Sequence, residues 1–269
     1  MKVFFTIAIL IAPAFATAQS GDLFGQLVRA EGGAVNTLTE KKYTGLVRHL
    51  EEKRVSSNSE RLFLEYLFAK VQRQFLRTYQ SQVAFSDLFS TGRYDCLSAT
   101  SLYASLLTDL GISFRIVETN YHIVLIASTA DGEVMLEATD RFNGFVTGAN
   151  VIEHRLLIYQ SQLPRANGNM VQFQHPGALL REVSPNQLIN LYHYNRAVSA
   201  FNHQDWLGCA VALEKAAVGY SSPRISSLGA LLLTAVSEDS SWTDEKRLRF
   251  VRQYYTVLLG RQAGIVASY

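Results

Sequence analysis

The chain has two cysteines, Cys96 and Cys209, and neither a CxxC nor an HExxH pair; its six histidines are scattered. The common zinc signatures are therefore absent, and no metal or cofactor is expected. Two cysteines cannot build a disulfide framework, though an oxidising compartment invites one bridge between them. Lys and Arg number 25 against 23 Asp and Glu, a formal net charge of +2. There is no basic excess of the kind that nucleic-acid binding needs, and a pair such as Lys41-Lys42 reads as a solvated helix face. Past the N-terminal segment no apolar run reaches the length of a bilayer span, so no membrane span is expected in the processed chain.

Residues 1–18 read as a secretory signal peptide. Lys2 supplies the positive start, residues 3–13 a short apolar core, and Ala16-Thr17-Ala18 the small-x-small cleavage pattern. Cleavage is expected before Gln19, with export to a periplasm or the cell exterior. No cysteine stands directly after the apolar core, which argues against a lipid-anchored N-terminus. What remains suffices for one large domain or two small ones.

The chain is organised around residues 92–140. Asp95 is a good N-cap, so Cys96 falls at the first helical position. Ala99, Tyr103, Leu106 and Leu110 repeat at helical spacing, and Gly111 ends the run. The sulfur of Cys96 then lies beside free N–H groups and the positive end of the helix dipole, which favours the thiolate. Residues 114–118 are rich in β-formers. Residues 121–128, YHIVLIAS, read as a strand buried on both faces with His122 at its start. Asp131-Gly132 signals a hairpin turn, and 133–138 is the return strand, with Glu137 near its end. His122 lies nine residues before Asp131 and Glu137 six after it. The hairpin arms are thus long enough to bring the two roughly level, where imidazole and carboxylate can hydrogen-bond. If the helix start packs on this hairpin, Cys96 reaches His122. Cys, His and acid would then serve as nucleophile, general base and orienting acid. Asp140 is a second candidate for that acid, although capping the turn into 141–145 suits it better.

This stretch resembles the transglutaminase-like superfamily, a papain-related group of transglutaminases, bacterial cysteine proteases and inactive relatives. The likeness covers 85–145. It rests on Cys96 after Gly92-Arg93-Tyr94-Asp95, on His122 opening YHIVLIAS, and on Glu137 within LEATD. Many relatives carry Asp-Pro-Thr at that last place, and an aromatic residue where Ile123 stands. The resemblance implies an α+β fold: a transglutaminase-like, papain-like core with the nucleophile helix packed on a small antiparallel sheet, preceded by N-terminal helices and followed by an α-helical region. It implies catalytic Cys96, His122 and Glu137. It also implies an upstream residue that helps hold the oxyanion, for which Gln80 or Gln82 could serve beside the Cys96 backbone N–H.

Elsewhere the chain reads as helical. Residues 23–30 form a short helix, broken by Gly32-Gly33. Residues 39–54 form a second, with Tyr43, Leu46, Val47 and Leu50 on one face. Residues 60–79 form a third, starting after Ser59, and 80–93 a connection. Asn143-Gly144-Phe145 and Gly148 form a loop, and 152–160 is helix or strand. Residues 164–184 read as a linker or active-site loop, with His175 incidental in it. The helical C-terminal region then spans 185–269, with helices at 186–202 and 206–218 and a possible second pair at 226–236 and 243–259. Ala197, Trp206, Cys209, Leu213 and Ala216 are similar to the small-large pattern of a tetratricopeptide helix pair. The expected division is 1–18 signal peptide, 19–163 N-terminal helices and core, 164–184 linker, 185–269 helical region.

The function so implied is an exported cysteine-dependent amide hydrolase, acting on a protein or peptide by acyl transfer. The alternative is an inactive transglutaminase-like fold that binds a protein partner through its C-terminal helices. A bridge from Cys96 to Cys209 would favour the alternative, because a bridged sulfur cannot attack.

Overall fold

A computed structural model of the chain describes residues 22–30, 36–120, 122–161 and 179–258. The expected leader, Gly32-Gly33 and His175 lie outside these. Among the described residues no helix is long and apolar enough to cross a membrane.

The fold is mixed α+β. Five antiparallel strands lie in the order β6-β5-β4-β3-β7: β3 Phe114–Thr119, β4 Ile123–Thr129, β5 Gly132–Leu136, β6 Phe145–Thr147 and β7 Leu180–Val183. β4 is central, and its alternation explains why it reads as a continuous apolar run. Ile123, Leu125 and Ala127 enter the main core. Val124 and Ile126 point the other way, to a smaller core closed by Ile152 and Leu156 of helix α6, Ala149–Ser161.

The main core holds α5, Cys96–Asp109, which is buried on every side from Leu97 to Leu107. One apolar face is expected from its spacing; full burial follows because neighbours surround it. They are the sheet, the helices α1 Leu23–Ala30, α2 Thr37–Val55 and α3 Glu60–Gln74, and α7 Gln187–Asn202. Phe24 stacks on Tyr43 at 3.9 Å, and both meet Phe89 edge-on. The Tyr43 hydroxyl donates to Asp109 at 2.7 Å, tying α2 to the end of α5. Beyond α7, helices α8 Trp206–Ala217, α9 Pro223–Glu238 and α10 Asp244–Leu258 continue the chain.

Four expectations need correction. The third helix ends at Gln74, and Thr78–Tyr79 forms strand β1, parallel to β2 at Arg93–Tyr94. The turn depends on Gly92, at φ +77°, whose carbonyl accepts from the Arg77 and Thr78 N–H groups. The connection before Cys96 contains a short helix, α4, at Asp87–Ser90. Phe145–Thr147 is an edge strand, pairing Met135 with Val146 and Leu136 with Phe145. Residues 180–183, read with the linker, form β7 on the other edge, where Arg181 faces Glu118. The segment 152–160 lies within helix α6.

Candidate functional site

Asp95 builds the start of α5. Its carboxylate accepts from the Ser98 N–H at 2.7 Å, and the Ser98 hydroxyl accepts from the Asp95 N–H at 2.9 Å, a complete capping box. Burial pushes the Asp95 carboxyl up, opposed by hydrogen bonds from Ser98 and from the backbones of Val83 and Gln82. The same carboxylate therefore fixes the loop ahead of the nucleophile. Cys96 is half-buried at the helix start. Cys96 and Cys209 are both free thiols. Cys209 is fully buried, and burial pushes its thiol up to about 12.

His122 is the residue before β4, and Glu137 the residue after β5. The His122 Nε2 is hydrogen-bonded to Glu137 Oε2. Its side chain is 16% exposed and that of Glu137 2%. Cys96 is close enough to the ring to act on it, raising its pKa together with Glu137. With Nε2 taken, Nδ1 is the nitrogen left for the sulfur. Burial alone would push the imidazolium pKa down. The interactions with Cys96 and Glu137 outweigh it and raise His122 to about 10. Burial would likewise raise Glu137; its bond to His122, the His122 charge and Thr139 outweigh that, and it lies below the usual carboxylate range.

Glu137 is held from several sides. Its Oε1 accepts from the Thr139 N–H at 2.8 Å and from the Thr139 hydroxyl at 2.6 Å. Its own N–H donates to the Gly144 carbonyl at 2.8 Å. Gly144 is required there, since a Cβ would lie 2.2 Å from the Glu137 carbonyl oxygen and 2.3 Å from that of Asp140. Buried Gln72 of α3 donates to the Ala138 carbonyl at 2.7 Å. Asp140 accepts from the N–H groups of Phe142 and Asn143 at 3.2 and 2.9 Å. It caps that turn, and the carboxylate on His122 is Glu137.

Gln80 accepts from Arg93 at 3.5 Å. Gln82, at φ +59°, lines a cavity of about 200 Å³ with Tyr192, Asn195, Arg196 and Ser199 of α7. The residue of this segment that feels Cys96 is Tyr79. Burial, then the proximity of Cys96 and Asp95, pushes its phenol up to about 12. Tyr159 of α6 lies edge-on to the His122 ring at 4.9 Å, and burial, then the nearby Glu137 charge, pushes its phenol up. Neither tyrosine carries a sequence signal. Tyr79 arrives through the β1–β2 pairing and Tyr159 through α6 covering the sheet.

Among the described residues no three His, Cys, Asp or Glu side chains gather closely enough to hold a metal ion. The arrangement is a thiol, an imidazole and a carboxylate in series, which suits proton transfer from sulfur and nucleophilic attack. No family model, curated protein or solved structure matches the chain.

Proposed function

We propose that the chain is an exported cysteine-dependent amide hydrolase with a transglutaminase-like core, acting on a protein or peptide. The His122 ring carries this reading, because it is hydrogen-bonded to the Glu137 carboxylate and has Cys96 near enough to raise its pKa. Three separate elements converge to make that series: the start of α5, the start of β4 and the end of β5. The signal-peptide pattern read in the sequence at 1–18 supports export.

In the reactive form His122 has taken the Cys96 proton. The sulfur attacks an amide carbonyl carbon, and the C=O π pair moves onto oxygen. The Cys96 backbone N–H is at the first helical position, has no intrahelical acceptor, and is the donor for that oxyanion. When the intermediate collapses, the C–N bond breaks and His122 gives its proton to the departing amine. Water then attacks the thioester. His122 takes a proton from it, the C–S bond breaks, and the acid leaves. Glu137 holds the ring in one orientation and favours the imidazolium formed in both steps.

The test is a peptide mixture incubated with the protein and with Cys96→Ala, read by mass spectrometry. Cleavage that needs Cys96 supports the reading. Identical product profiles for the two proteins would overturn it.

A further inference from the structure

His122 precedes β4, and Thr119, the last residue of β3, holds its backbone. The Thr119 N–H donates to the His122 carbonyl at 2.8 Å, and the Thr119 hydroxyl donates to the same oxygen at 3.2 Å. That hydroxyl also accepts from the His122 N–H at 3.1 Å. Thr119 is fully buried. Its own carbonyl accepts a hydrogen bond from Arg224 Nη2, in the first turn of α9. The other end of that guanidinium, Nη1, lies 3.0 Å from Glu118 Oε1. One guanidinium thus meets two successive residues of β3, through a hydrogen bond to the Thr119 carbonyl and an ion pair to Glu118 whose Oε1 makes no hydrogen bond.

Glu118 is buried in the fold, with its side chain 2% exposed and that of Arg224 11%. Its Oε2 accepts from the Tyr220 hydroxyl, and Arg181 Nε lies 3.8 Å from the same oxygen. Arg181 also lies over the Tyr220 ring at 4.9 Å, and Arg224 over Tyr194 at 5.7 Å. Ser222 caps α9 by accepting from the Arg224 N–H at 3.3 Å, with Pro223 in the first turn. Docking α9 on β3 does not require ions. A buried ion pair carries a heavy desolvation cost, and well-packed apolar replacements are often no less stable. What the ionic arrangement adds is direction: it fixes the Thr119 peptide, and Thr119 fixes His122.

We propose that Arg224 is a positioning residue for His122, acting through Thr119, so that the C-terminal helices are part of the working site. This rests on the amide-hydrolase reading above. A small displacement of an attacking group or its base is enough to cost a large factor in rate. Whatever moves α9 therefore moves His122 relative to Cys96.

The test uses the full chain and the rate at which iodoacetamide alkylates Cys96, followed by mass spectrometry across pH, with thermal melting alongside. The variants are Arg224→Met, the double variant Arg224→Met with Glu118→Gln, Thr119→Val, Thr119→Ser and His122→Ala. The double variant leaves no unpaired buried carboxylate and is expected to melt near the parent. The inference expects it, and Thr119→Val, to lower the alkylation rate by about tenfold and to shift the pH dependence of that rate. Thr119→Ser, which keeps the hydroxyl, restores the rate. A double variant that melts and alkylates like the parent, while His122→Ala is slow, would overturn the inference and leave the amide-hydrolase reading standing. Parental alkylation in His122→Ala would overturn both.

Discussion

Thr100 lies one helical turn after Cys96, and its hydroxyl donates to the Ile123 carbonyl at 3.2 Å. The nucleophile helix is thereby pinned to the residue that follows His122. The contact is fully buried on the Thr100 side. Thr100→Val keeps the shape and removes the donor. It is expected to cost about 1–3 kcal/mol for the polar group left unpaired, seen as a lower urea midpoint. It should also slow alkylation of Cys96 by loosening its register against His122.

The His122–Glu137 pair sets a pH window for stability. His122 is raised in the folded state, so its contribution is complete below its ordinary value of 6.5 and is lost as pH rises through about 10. Glu137 is lowered, so its contribution is present above its ordinary value of 4.5 and is lost as pH falls through the depressed folded value. Glu137→Gln should flatten both edges and bring His122 back toward its ordinary range. Melting temperature against pH for the two proteins checks this. Parallel curves would show that the pair is not coupled.

Gly144→Ala should be among the most damaging single-methyl changes in the chain. The new Cβ would meet two backbone carbonyls, which unlike a flexible side chain cannot swing away. A loss of about 1–3 kcal/mol or more is expected from the overpacking, with Cys96 alkylation falling in parallel as Glu137 is displaced. Urea unfolding and labelling on the same samples measure both.

The two thiols should behave differently. Cys209 is sealed among Ala210, Leu213 and Ala216 of α8 and its neighbours. Native protein is expected to take one iodoacetamide label and denatured protein two. Cys209→Ser should leave the native label unchanged and cost about 1–3 kcal/mol for a buried hydroxyl. Two labels on native protein would contradict the packing.

What is local was legible in the sequence. Asp95 as a cap, Ser59 as a cap and Asp131-Gly132 as a turn are each set by a few neighbouring residues, and each appears as expected. The two-faced burial of β4 was also readable, because its apolar run leaves no polar side for solvent. Pairings across long separations were not. Thr78–Tyr79 extends a helical pattern until Arg93–Tyr94 draws it into a strand. Residues 180–183 look like linker until β3 offers an edge with Glu118 opposite Arg181. Gln72 reads as a helix-surface glutamine, yet it is buried to hold the Ala138 carbonyl. The order of Cys96, His122 and Glu137 was plain; the groups that hold them, Thr100, Thr119, Tyr159 and Arg224, are defined only by the packed fold.

The most direct measurement is the rate of Cys96 alkylation by iodoacetamide at neutral pH, in the parent protein and in His122→Ala. If Cys96, His122 and Glu137 work as one unit, the parent reacts fast and His122→Ala loses about 10²–10⁴ of that rate, the range of a positioned proton-transfer group. Slow alkylation that is indifferent to His122 would contradict the account, and the fold would then have to be understood through a partner that it binds.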